Sequence, residues 1–124
     1  MDLVSPFLTP ERLPTTIIGA ALILLGLYYI VFWWSYWKVN YKGTLVTGGP
    51  YMSVRHPYYF GWLSLATGLV VIMPDVMTAG LAFISWMVII GQIKTEEESL
   101  VKKYGKKYKE YQERVPRRLI PGIW

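Results

Sequence analysis

Three stretches without a charged side chain, residues 16–34, 58–74 and 76–93, constrain this chain more than anything else in it. A helix that crosses a bilayer needs roughly 20 mostly apolar residues, with a range of about 17–25. The first and third stretches have that length. The second is short, and its flanking aromatics must lie at the interface for it to cross. The predicted fold is therefore all-α: one integral membrane domain over residues 1–124, with spans at about 15–37, 57–73 and 76–93 and a cytoplasmic tail over 94–124. A soluble protein with buried helices is the competing fold, and three charge-free stretches in 124 residues argue against it. The first stretch is not read as a secretory signal. Residues 1–15 lack a basic n-region, and bulky Trp33, Trp34 and Trp37 stand where small residues would mark a cleavage site.

Charge sets the expected orientation. Of the 13 Lys and Arg residues, all but Arg12 fall between the first two spans or after the third. The positive-inside rule makes that side cytoplasmic and puts the N-terminus and the Pro74-Asp75 turn outside. The net charge of +5 then reflects topology and contact with anionic lipid. No recognition motif accompanies the basic residues, so nucleic acid is not an expected partner. The absence of cysteine excludes disulfides and thiolate chemistry, and a single histidine cannot form a histidine-cluster metal site.

Local signals refine the plan. Pro6, Pro10 and Pro14 predict an irregular lead-in. Pro57 suits the first turn of a helix, and Pro74-Asp75 breaks it, so spans two and three should form a tight hairpin. Gly61, Ser64 and Gly68 offer small residues for close packing in lipid. Beyond the spans, Leu100, Tyr104, Tyr108, Tyr111 and Val115 form one apolar stripe, which predicts an amphipathic helix over residues 95–114. Its ordinary role would be interfacial. Gly105 is a possible bend, and Pro116 should end the helix.

The segment from Gly49 to Gly61 carries the clearest chemistry. It holds the only histidine and joins a glycine-rich loop to an apolar span. The start of span two offers free N–H groups and a positive dipole end. With Arg55 and His56 beside it, this is a place for a carboxylate or phosphate. Headgroup anchoring by Arg55 explains the same tripeptide equally well. Glu96, Glu97 and Glu98 lie just past span three, and the hairpin should return them to the same membrane face. A carboxylate there can meet sugar hydroxyls, an ammonium or a sulfonium; at least one of the three is expected to be an ordinary solvated helix residue. Together these groups imply a ligand with an anionic end and a ribose or cationic portion.

The motifs extend further. Thr44-Leu45-Val46-Thr47 is followed by Gly49-Pro50-Tyr51, then by Arg55-His56-Pro57 with Tyr59 and Gly61. After the hairpin come Glu96-Glu97, Leu100, Tyr104-Gly105, Tyr108, Tyr111, Val115-Pro116-Arg117 and Pro121. In order and spacing this set resembles the isoprenylcysteine carboxyl methyltransferases and related phospholipid methyltransferases, integral membrane enzymes that use S-adenosylmethionine. The resemblance implies a methyltransferase whose cofactor contacts Gly43, Thr44, Leu45, Val46, Tyr51, His56, Pro57, Tyr58, Tyr59 and Glu96. Arg55 and Glu97 join this candidate set on their charge. The implied acceptor is a lipophilic small molecule, a prenylcysteine-like compound or a lipid, entering from the bilayer. Prenylcysteine methyltransferases carry an Arg four residues before the first Glu, where it meets the substrate carboxylate. Here that substrate position is Gln92, and a neutral amide cannot pair with a carboxylate as Arg does. The family usually has more spans before the motif, so a homodimer is a candidate way to complete the lipid-side pocket. Two other readings compete: a membrane reductase of the sterol-reductase type using NADPH, and a scaffold without enzymatic activity.

Overall fold

A computed structural model describes residues 2–124. Among these, all regular structure is helical: α1 (Leu13–Asn40), α2 (Pro57–Ile72), α3 (Val76–Tyr104) and α4 (Lys106–Arg114), with short 3-10 turns at Ser5–Phe7 and Gly49–Met52. Helices α1 and α3 are long and apolar enough to cross a membrane, and only 11 % of the most apolar window of each is buried. A core helix of a soluble protein would be mostly buried, so this exposure favours lipid as the solvent. Helix α2, with 16 residues, rises about 24 Å at 1.5 Å per residue, short of a hydrocarbon core of about 30 Å.

The closest helix pairing is between α1 and α2. Gly19 and Gly26 of α1 meet Gly68 and Gly61 of α2. A Cβ on Gly68 would lie 2.6 Å from the Gly19 carbonyl oxygen, and one on Gly61 would lie 2.9 Å from that of Gly26. Buried Ser64 donates to the Leu22 carbonyl at 2.7 Å. The small residues thus do allow close packing, but toward α1. The expected hairpin of α2 and α3 is present, joined through residues 73–75, and Trp86 Nε1 donates across it to Thr67 Oγ1 at 3.1 Å. The turn itself follows the sequence. Asp75 caps α3 by accepting from Thr78 N at 2.9 Å, and Thr78 Oγ1 accepts in return from Asp75 N at 3.3 Å.

Two boundaries differ from expectation. Helix α3 does not stop near Ile93 but continues through Glu96 and Glu97 to Tyr104. No breaker intervenes, and Lys94, Thr95 and the glutamates extend the helix into polar surroundings. The expected single helix over 95–114 is instead the end of α3 plus α4, separated at Gly105, whose φ of 57° suits glycine. Helix α4 ends at Arg114, ahead of Pro116.

Candidate functional site

The glycine-rich loop, the start of α2, the polar half of α3 and helix α4 converge at one end of the apolar helices. They enclose an open cavity of about 360 Å³. Thr44, Leu45 and Val46 line it from the loop, Tyr51 from the 3-10 turn, and Arg55, His56, Pro57, Tyr58 and Tyr59 from the α2 start. Glu96 lines it from α3. Gly43 and Glu97 stand outside this wall. Gln92 is exposed on α3, one turn before Glu96 and on the same helix face.

Aromatic residues at the end of α1, Trp33, Trp37 and Tyr41, form a wall of the cavity. Trp33 Nε1 donates to the Tyr51 hydroxyl at 2.7 Å, and its ring centre lies 4.4 Å from that of Tyr58. Trp37 stacks on Tyr41 with centres 4.3 Å apart. Their spacing of four along α1 and its end was the available signal. The stripe expected to lie on lipid also turns inward: Leu100, Tyr104, Tyr108 and Tyr111 line the cavity. The Tyr111 hydroxyl donates to the Tyr51 carbonyl at 2.6 Å, clasping α4 to the 3-10 turn. Burial pushes the Tyr51 and Tyr108 phenols up to about 12, and that of Tyr111 higher still. All three are neutral at physiological pH; the Tyr51 and Tyr111 hydroxyls make hydrogen bonds, whereas the buried Tyr108 hydroxyl has no partner among the described residues.

The two glutamates have different surroundings. Glu96 faces the cavity, accepts a hydrogen bond from the Tyr59 hydroxyl, and has Oε2 3.9 Å from His56 Nδ1. Glu97 is buried at 5 % exposure and is surrounded by donors. Arg55 Nη2 reaches its Oε1 and Oε2 at 3.1 and 3.2 Å. His56 Nε2 lies 3.2 Å from Oε1, Arg118 Nε donates to Oε1 at 2.9 Å, and Gln112 donates to Oε2 at 3.2 Å. Burial alone would raise the Glu97 pKa. The His56 hydrogen bond and the Arg55 charge outweigh it and hold the carboxyl at about 2. Arg55, expected as a free charge for an anion, therefore spends its guanidinium on Glu97 and on the Val115 carbonyl, 3.1 Å from Nη1. The α2 start has no side-chain cap.

An aromatic cavity with the Glu96 carboxylate on its wall, at one end of two helices apolar enough to cross a membrane, defines a candidate small-ligand site. The model of the isoprenylcysteine carboxyl methyltransferase (ICMT) family matches residues 13–102, and the chain belongs to that family. It is similar to protein-S-isoprenylcysteine O-methyltransferase of Dictyostelium discoideum, 41% identical over 81 residues, which is 64% of this chain and 33% of that protein. The Xenopus laevis enzyme of the same name is 38% identical over 83 residues, 64% of this chain and 29% of the relative. The human enzyme of that name is 36% identical over 83 residues, with the same coverage of 64% and 29%. The chain thus spans about a third of the length of the curated relatives it matches. No solved structure matches it. These relatives are named as methyltransferases, and the family together with the two apolar helices points to a membrane protein.

Proposed function

We propose that the cavity binds S-adenosylmethionine and that the chain methylates a lipophilic acceptor, prenylcysteine-like or lipid, which enters from the bilayer at the cytoplasmic face. One observation carries the reading: loop, α2 start and Glu96, distant in sequence, line a single cavity of about 360 Å³, within the range of roughly 300–1,000 Å³ usual for small-ligand sites. The donor set fits the cofactor. Stacked aromatic faces suit an adenine ring and attract a cationic sulfonium. Glu96, fixed by Tyr59, suits an ammonium or ribose hydroxyls. The uncapped α2 start beside His56 suits a carboxylate.

When bound, the cofactor supplies a methyl group activated by its sulfonium. The protein's share is alignment and exclusion of water. Trp33, Tyr51 and Tyr58 hold one wall rigid by their mutual contacts. Glu97 orients His56, and Tyr59 orients Glu96. Gln92, on the Glu96 face but exposed, meets the acceptor with a neutral amide. This favours a headgroup without a carboxylate to be paired. In this reading α2 is a third, short span, residues 38–56 and 94–124 are cytoplasmic, and the N-terminus is outside. The exposed faces of α1 and α3 meet acyl chains or, where the chain dimerises, a second copy.

Titration of the purified protein in detergent or lipid with S-adenosylmethionine tests the proposal. Saturable binding is expected, followed by methyl transfer to a lipid or prenylcysteine analogue. A folded protein without binding would overturn the reading.

A further inference from the structure

The segment after α4 runs back across the start of α2. Arg55 N donates to the Arg117 carbonyl at 3.0 Å, and His56 N donates to the Arg118 carbonyl at 3.1 Å. This short backbone seam lays residues 115–119 beside the Arg55–His56 step. Leu119 anchors it, fully buried against Leu63 and Ile93. Arg118 then turns inward, and its Nε donates at 2.9 Å to Glu97 Oε1. That is the same oxygen that lies 3.2 Å from His56 Nε2. Arg118, together with Arg55 Nη2 at 3.1 Å, sets the position of this oxygen and so where the imidazole finds its acceptor. The hydrogen bond at one ring nitrogen also sets the state of the other, and here the other, Nδ1, faces Glu96. The family match ends at residue 102, before this strap begins.

We propose that Arg118 is a positioning residue: acting through Glu97, it fixes the orientation and protonated nitrogen of His56, and so makes the strap over residues 115–119 a working part of a cavity that Arg118 does not line. The inference rests on the methyl-donor reading for its consequence, but the positioning can be read without ligand. His56 is the only histidine, so its imidazole nitrogens give a single, unambiguous NMR signature.

The test compares Arg118→Gln, Arg118→Lys and the control Arg117→Gln in the full chain. Arg117 is exposed, and its carbonyl, which serves the seam, survives the substitution. Arg118→Gln should displace the His56 imidazole resonances and weaken S-adenosylmethionine binding roughly tenfold, the scale of one lost hydrogen bond to a charged group. Arg118→Lys keeps the charge but not the Nε–H geometry and should fall between. Arg117→Gln should match the wild type in both. If Arg118→Gln fails to fold, Arg118→Lys decides: His56 resonances indistinguishable from those of the wild type would overturn the proposal. Displaced resonances in a protein that binds no S-adenosylmethionine even as wild type would uphold the positioning and remove the methyl-donor reading instead.

Discussion

The α1–α2 seam and the Glu97 cluster both hold helices together, and they do it with opposite chemistry. The seam sets glycine against glycine at Gly19–Gly68 and Gly26–Gly61. It works by van der Waals contact over a close approach, the available force where lipid is as apolar as the side chains. The cluster gathers Arg55, His56, Gln112 and Arg118 around one carboxylate. It lies past the apolar stretch of α3, where polar groups can be assembled during folding. The first tolerates no added atom, and the second tolerates no missing charge. Their separation lets the seam fix the scaffold while the cluster fixes the site.

Removing the charge is the strongest way to break this contrast. Glu97→Ala leaves the Arg55 guanidinium buried beside His56 without its partner and should cost about 3–5 kcal/mol, read by denaturation in detergent. The same residue gives the pH dependence. Its folded pKa of about 2 lies below the ordinary 4.5. The stability it confers is therefore full above about pH 4.5 and is lost as pH falls toward 2. Glu97→Gln should flatten that loss in a melting series against pH, whereas glycine variants of the seam should retain it.

Adding an atom to the seam comes next. A Cβ on Gly26 would lie 2.8 Å from the Leu65 backbone nitrogen, whereas one on Gly80 meets nothing within 4 Å. Gly26→Leu should destabilise by up to about 3 kcal/mol and Gly80→Leu by far less, as thermal melts would reveal. At the cavity, His56→Ala and Glu96→Ala should each weaken S-adenosylmethionine binding by about tenfold or more, the loss of at least one charge-assisted contact; calorimetric titration measures it. Unchanged affinity in both would separate the cavity from cofactor binding. The smallest effect is expected from Trp33→Phe, which keeps an aromatic ring on the wall but removes the indole N–H and its bond to Tyr51. It should cost about 1 kcal/mol in the same melts.

Much of this was legible in the sequence. Charge-free stretches, Pro57 and Pro74-Asp75 marked the helices, and the motif residues Thr44, Leu45, Val46, Tyr51, Arg55, His56, Pro57, Tyr59 and Glu96 meet at one cavity. Residue chemistry alone could not tell Glu96 from Glu97. The two are adjacent and identical, and only the helical rotation of α3 points one at the cavity and the other at Arg55 and Arg118. The aromatic wall was hidden for a related reason. Trp33 and Trp37 satisfy the rule for interfacial belts equally well whether they face lipid or a neighbouring loop. The partner of Gly61 and Gly68 was ambiguous too, because small residues announce a close approach without naming the helix that makes it.

Helix α3 carries one further consequence. Its 29 residues run unbroken from the Asp75 cap to Tyr104, a rod of about 43 Å. Its charge-free part, residues 76–93, rises about 27 Å, close to a hydrocarbon thickness of about 30 Å, and its polar remainder carries Glu96 and Glu97. Gln92 and Glu96 ride on the same rod as the exposed Phe83 and Met87. Any lean of that rod carries Glu96 with it relative to the α2 start, so under the proposed membrane reading the width of the cavity is tied to how α3 sits in the bilayer.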